Sequence, residues 1–361
     1  MARPRNELSF RDIALIRLRN QRLVGPGLDT PAAVVGWLGA VQSQDYGGAK
    51  WALGQRMKRA SDAAIERAFD AGEILRTHVL RPTWHFVLPS DIRSLLELTA
   101  PRVKAAMRYY DRQLELDDAS FARCHEAIRG GLKGERHLTR NELGRVLFEA
   151  GIEAQGQRLG HIMMRAELDA VICSGPRRGK QFTYALMDER VPASPTFARE
   201  DALAELTRRY FMSHGPALAQ DFAWWSGLTI SDANQGLELA RESLSELTVE
   251  SRTYWYAGSA RPPKVTRPIL HLLPNYDEHL VAYKERSAAF DRERVASLGR
   301  RENVLANHLI TLNGQVVGGW RREGSKPGAA IETTLIAKLN AAERKALQAA
   351  EARLTKFSSE S

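Results

Sequence analysis

Apolar positions at helical spacing recur through the first two thirds of the chain and are interrupted by β-rich stretches. After the basic start "MARPRN", Ile13, Ile16, Leu18 and Leu23 fall near helical spacing. Ser9 with Asp12 three residues on marks the helix start, and "VGPGLDTP" ends it. Thr30 is placed as the next N-cap, with Pro31 at the first helical position. Val34, Val35, Trp37 and Leu38 supply that helix's apolar residues. The spacing predicts a third helix from Ser61 to Gly72 carrying Ile65 and Phe69. "LRTHVLRPTWHFVLP" follows, β-branched and aromatic but broken at Arg81-Pro82, and reads as a two-stranded ribbon. Three short helices followed by a hairpin is the winged-helix element order.

The order repeats. "SFARCHEAIRGGL", "LTRNELGRVLFEAG" and "QRLGHIMMRAELDA" read as helices, the second with Thr139 and Glu142 as a capping box. "VICSG" and "QFTYALM" read as strands joined by "PRRGK". A third copy is expected from helices at Ala198–Met212, Ala217–Trp225 and Ser231–Leu244 and the β-rich tail "LTVESRTYWYAG". The copies match in element order and not in residues.

Beyond "RPPKVTRP" the pattern changes. "ILHLLPNYDEHLVAYKERS" reads as a strand, a turn and a charged segment. Asn313-Gly314 between apolar runs is a preferred hairpin turn pair. A helix is expected from Thr333 to Lys356. The expected fold class is α+β: tandem winged helices at 1–115, 116–195 and 196–260 around a β-rich, barrel-like domain at 261–361.

Composition narrows the function. The net charge is +9 with a pI near 9.7, which suits a polyanionic partner such as nucleic acid. Cys124 and Cys173 stand far apart, and the histidines show no HExxH or HxH pair. No disulfide framework, zinc motif or other metal site is expected. No run suits a membrane span or a cleaved leader. The expectation is a soluble, cytoplasmic, nucleoid-associated protein without cofactor.

The densest chemistry lies in "AVQSQDYGGAKWALGQR", between two predicted helices. If Gln42-Ser43-Gln44 is extended, its two amides share a face. Each offers donors and an acceptor. Together they would hold one water in a fixed orientation without ionising it, which suits a reaction whose leaving group is already activated. The alternative is two surface glutamines finishing a helix. Arg177, Arg178 and Lys180 sit at the tip of the second ribbon, where they would meet phosphates or form a solvated turn. Arg17, Arg19 and Arg22 add charge to the first helix. His85, taken alone, reads as a half-buried structural histidine. Trp224 and Trp225 read as core. Asp277, Glu278 and His279 do not read as a catalytic cluster, because neighbours in a strand face opposite ways.

Four stretches together carry a resemblance: "AVQSQDYGGAKWALGQR", "LRTHVLRPTWHFVLPSD", "LLPNYDEHLVAYKERS" and "NGQVVGGWRR". With them the chain resembles the winged-helix DNA glycosylases, the AlkZ/YcaQ-like proteins named for azinomycin resistance and alkylated-base excision. The resemblance implies tandem winged helices around a barrel-like domain. It implies monofunctional excision of alkylated purines from double-stranded DNA, N7-alkylguanine above all, and in some members unhooking of interstrand crosslinks. The family's catalytic Gln-X-Gln maps onto Gln42 and Gln44, with Ser43 where X is usually aliphatic. Its Thr-X-His signature falls on Thr83 and His85, which with Arg81 become candidates for contacting the lesion or the DNA. Asp45 is read as structural. An N7-alkylated purine is cationic and its glycosidic bond is already weak, so positioned water suffices. No lysine nucleophile and no lyase step are expected, and a wrapped DNA binder would work as a monomer. The competing readings are a non-catalytic winged-helix DNA-binding protein and a protein that sequesters a toxic natural product.

Overall fold

Ser9 and Thr30 start the first two helices by the devices the sequence suggests. Ser9 and Asp12 exchange bonds in a full capping box at α1 (Phe10–Asn20), and Thr30 caps α2 (Pro31–Leu38). In this computed structural model residues 8–193, 198–290, 308–324, 330–336 and 338–359 are described. The stretch expected to connect helices is itself structured. It forms β1 (Val41–Gln42) and α3 (Tyr46–Gly54), whose N-cap Asp45 accepts the Gly48 N–H at 3.1 Å. Gly47-Gly48 hides this helix from propensity, but burial of Ala49, Trp51 and Leu53 outweighs the cost of glycine. Then come α4 (Asp62–Asp70), β2 (Leu75–His78) and β3 (Trp84–Val87), the strands forming an antiparallel sheet in the order β1-β3-β2. The first three-helix unit is thus α2, α3 and α4, and α1 stands outside it.

A 22-residue helix, α5 (Ile92–Gln113), follows; the sequence reading passed over it. Pro101 lies inside it and obscures the pattern. The second unit runs α6 (Asp118–Leu132), β4 (Leu138–Thr139), α7 (Arg140–Glu149), α8 (Gly156–Leu168), β5 (Ile172–Ser174) and β6 (Thr183–Leu186), followed by the short α9 (Met187–Arg190). Its sheet order is β4-β6-β5. The third runs α10 (Arg199–His214), α11 (Ala219–Ser226), α12 (Ile230–Leu239), β7 (Ser245–Val249) and β8 (Arg252–Tyr256). The helix expected to reach Leu244 stops at Leu239 and gives way to a 3-10 turn at Arg241–Ser243. In every unit a short extended piece ahead of the second helix pairs with the last strand: β1 with β3, β4 with β6, and Ala217 with Trp255. This pairing is what repeats.

The remaining described elements are β9 (Leu270–Leu273), α13 (Glu278–Val281), β10 (Leu309–Leu312), β11 (Gln315–Arg322), β12 (Ile331–Leu335) and α14 (Ala341–Ser359). The Asn313-Gly314 turn joins β10 to β11 as expected, both residues at positive φ. The sheet is open, in the order β12-β11-β10-β9, and the described strands do not close into the barrel the resemblance implied. Thr333, Thr334 and Leu335, expected to begin the last helix, pair instead with β11. The β-branched run "IETTL" explains the strand.

Two cores meet at the glutamine motif. Ala40 packs into one with Leu75, Leu96, Tyr210 and Trp225. Val41 packs into the other with Phe86, Leu272, Ile310, Val317 and Phe357. Ala40 and Val41, the two residues before Gln42, are thus anchored one in each core. No described helix is long and apolar enough to cross a membrane, and no described cluster of His, Cys, Asp and Glu would hold a metal. Cys124 and Cys173 are both free and buried.

Candidate active site

The backbone of Gln42-Ser43-Gln44 is held from several elements. β1 places Gln42 opposite His85, and the Ser43 N–H donates to the Trp84 carbonyl at 2.7 Å. The Gln42 N–H donates to Glu278 Oε1 at 2.8 Å. Arg76 Nε, from β2, donates to the Ser43 carbonyl at 3.1 Å. The Arg76 guanidinium itself lies over the Trp84 and Phe182 rings, and burial pulls its pKa down to about 10. The strand ends at Gln42, and Gln44 sits in the bend that leads to the Asp45 cap, so the motif is not extended throughout.

The two amides differ in setting. Gln42 is buried, and its Oε1 accepts from Arg81 at 2.8 Å. Gln44 is exposed, and its Oε1 accepts the Trp84 N–H at 3.3 Å. Neither NH2 group has a protein partner among the described residues. A carbonyl oxygen carries two lone pairs. Each amide therefore keeps one free lone pair and both N–H donors, which is enough to hold a water or a sugar oxygen.

Behind Gln42 the register continues across the sheet: Gln42, His85 and Thr77 lie side by side on β1, β3 and β2. His85 is fully buried. Its pKa is pushed down to about 3, first by burial and then by the Arg81 charge, against the raising effect of its bond to Thr83, so it is neutral. Its Nδ1 bonds the Thr83 carbonyl at 3.0 Å. With that nitrogen as the donor, Nε2 is a bare acceptor. Ser43 Oγ, Thr77 Oγ1, Thr83 Oγ1, Arg81 Nε and His85 Nε2 are all buried without a partner among the described residues. Buried polar atoms are ordinarily satisfied, so such a concentration around one short strand marks a site.

The "NYDEH" run takes a part the sequence reading did not give it. It forms a short helix, not a strand, and alternation does not apply. Glu278 is fully buried. Besides Gln42 it accepts from Trp225 Nε1 at 3.0 Å, and His214 Nε2 lies 3.5 Å away. Asp277 caps α13 and makes a buried two-bond ion pair with Arg56 at 2.8 and 2.9 Å. That pair fixes the helix that presents Glu278. Trp225 is core, as expected, but Trp224 is 39% exposed.

A family profile described as "DNA glycosylase AlkZ-like" matches residues 35–357. The chain belongs to the AlkZ-like DNA glycosylase family. An interstrand DNA cross-link repair glycosylase of Streptomyces sahachiroi is 23% identical over 330 residues, covering 86% of this chain and 87% of that one. The solved structure of the Streptomyces sahachiroi DNA glycosylase AlkZ superposes with a TM-score of 0.80. That match covers 98% of this chain and 97% of that one at 20% identity, and it shows a shared mixed α+β fold.

In this AlkZ-like chain the basic tip is less free than its sequence suggests. Arg177 is half-buried. It pairs with Glu66 at 3.3 Å, and its guanidinium lies over the Tyr46 and Phe182 rings. Because Phe182 also packs on Tyr46, the second hairpin abuts the helix that follows Gln44. Arg178 is exposed but bonds Glu142 and the His137 carbonyl, each at 2.7 Å. Lys180 is exposed with no partner among the described residues. On α1, Arg17 is buried, donates to the Pro216 carbonyl and stacks on Tyr283. It belongs to the core and not to a charged surface. Arg76 and Glu278 are the site residues the sequence reading missed. Arg76 lies in a stretch that carries the resemblance, but nothing along the chain sets it apart from other strand arginines. Glu278 lies in the "NYDEH" run, where a helix stands in place of the expected strand.

Proposed function

We propose that this glycosylase hydrolyses the N-glycosidic bond of alkylated purines in duplex DNA, N7-alkylguanine first and interstrand crosslinks by extension, using water held by Gln42 and Gln44. The observation that carries the reading is the clamped Gln42–Gln44 segment, with both amide oxygens engaged once and both NH2 groups open among the described residues. Such amides orient water against C1′ and do not deprotonate it. That is adequate when the departing base is already cationic and the sugar carries most of the transition-state charge. No Schiff-base lysine is required, so the reaction ends at the abasic site. In this reading the three units are winged helices at 1–115, 116–195 and 196–260, followed by a β-rich domain at 261–361. Thr83, His85, Arg81, Arg177, Arg178 and Lys180 serve the DNA, and a monomer suffices, in the cytoplasm at the nucleoid.

The test is release of free base from a duplex with one N7-methylguanine, comparing wild type with Gln42→Ala/Gln44→Ala and reading the abasic site by alkaline cleavage. Release by wild type alone, with equal DNA binding, supports the proposal. If neither protein releases base from this duplex or a crosslinked one while both bind DNA, the chain is a winged-helix DNA-binding protein and the proposal fails.

A further inference from the structure

Arg81 and Arg286 converge on one indole. The Arg81 guanidinium carbon lies 5.5 Å from the Trp224 ring centroid and that of Arg286 lies 5.7 Å from it. Trp224 is the most exposed tryptophan among the described residues, and its Nε1 donates to the Val281 carbonyl at 3.0 Å. The same Arg81 holds the Gln42 amide. One guanidinium therefore joins the glutamine site to an exposed aromatic surface.

These two half-buried arginines lack the carboxylate partner that such arginines usually have. Among the described residues neither makes an ion pair with a carboxylate. Arg286 is left with one long bond to the Leu280 carbonyl at 3.4 Å, and Arg81 Nε is buried without any partner. The nearby carboxylates are committed elsewhere. Asp221 accepts the backbone N–H groups of Leu218, Lys284 and Glu285. Glu285 accepts from Ser287 and lies 3.3 Å from Arg252, and Glu278 accepts from Gln42 and Trp225. Burial is the main cause that lowers the pKa of both arginines; at Arg81 the Glu278 charge opposes it and the Arg286 charge adds to it, and at Arg286 the Asp221 and Glu285 charges oppose it. Two half-buried guanidinium groups that share one indole, with no ion pair among the described residues, leave N–H donors for an anion to take. A cationic alkylpurine would be repelled from this spot. A phosphodiester fits it, because planar guanidinium groups match phosphate oxygens two bonds at a time.

We infer that Arg81 and Arg286, across the Trp224 indole, form the subsite for a backbone phosphate of the damaged strand next to the nucleotide whose sugar meets Gln42. The inference rests on the glycosylase reading of Gln42 and adds Arg286 and Trp224 to the substrate contacts. Its mechanical consequence is direct. A phosphate fixed by Arg81 is linked through one side chain to the amide that holds water, so strand position and water position are set together.

The experiment uses the full chain and a duplex with a tetrahydrofuran abasic analogue, which binds without reacting. Methylphosphonate replaces one phosphodiester at a time on either side of the analogue. Wild type should lose roughly tenfold in affinity at one flanking linkage, in keeping with loss of a charge-assisted contact. Arg286→Gln should show that loss on the unmodified duplex and none further on the neutral one. Its slope of log K against log salt should fall by about one. Arg286→Lys keeps the charge and should keep most of the slope. If no flanking methylphosphonate weakens wild type, or if Arg286→Gln is penalised by it as much as wild type, the subsite is refuted. Continued base release from N7-methylguanine in that case would leave the glycosylase reading standing. Absence of both binding and release would remove both.

Discussion

Glu278 Oε1 accepts the backbone N–H of Gln42 at 2.8 Å, across 236 residues of sequence. The other oxygen takes the Trp225 indole. A buried carboxylate thus ties the glutamine strand to the third helical unit. Glu278→Ala strands both donors in the core, and each unsatisfied group costs about 1–3 kcal/mol. We expect a clear drop in melting temperature and loss of base release. Glu278→Gln retains an acceptor for one donor and should fold better while still releasing base more slowly. Thermal unfolding beside single-turnover base release separates the two effects. An unchanged rate in a folded Glu278→Ala protein would show that the strand needs no such anchor.

Gln42 and Gln44 should respond differently when replaced singly. Gln44 is exposed, so Gln44→Ala should change stability by no more than about 0.5 kcal/mol. Gln42→Ala removes the partner of Arg81 inside the protein and should cost about 1–3 kcal/mol. Both should slow base release. Chemical denaturation with single-turnover kinetics checks this, and a Gln44→Ala protein with wild-type rate would leave Gln42 as the sole water holder.

Ser43 stands where the resemblance leads one to expect an aliphatic residue. Its side chain is fully buried and its Oγ has no partner among the described residues. Ser43→Ala removes an unsatisfied hydroxyl without adding volume. It should be neutral or stabilising by about 1 kcal/mol, with base release intact. A destabilised Ser43→Ala protein would mean that the hydroxyl is satisfied in solution.

Three buried histidines set an acid limit. Burial first of all pushes His85 and His271 down to about 3 and His279 to about 4. In the unfolded chain each titrates near 6.5. Their stability contribution is full above that value and is lost as pH falls toward the folded values, because the unfolded state then binds more protons. The melting temperature should fall between pH 7.5 and 5. His271 Nε2 bonds the Leu23 carbonyl at 3.0 Å. His271→Gln can keep that donor without titrating, and its melting temperature should fall less steeply over the same range. Parallel slopes for the two proteins would assign the acid sensitivity to other groups.

The sequence alone determined what depends on neighbours along the chain. The capping pairs Ser9–Asp12 and Thr139–Glu142 and the turn at Asn313-Gly314 are local chemistry, and they form where expected. The pair of glutamines two residues apart was legible for the same reason. Tertiary structure decided the rest. Only packing of Trp51 and Leu53 makes a helix of a glycine-rich connector, and only pairing with β11 makes a strand of Thr333–Leu335. Arg177 looked like a free tip cation until Glu66, Tyr46 and Phe182 were brought against it. Glu278 reaches Gln42 because the Arg56–Asp277 ion pair fixes the helix that carries it, and Arg81 and Arg286 both reach the Trp224 ring because three distant segments fold together. Burial and long-range pairing are properties of the assembled chain, and no short window of sequence contains them.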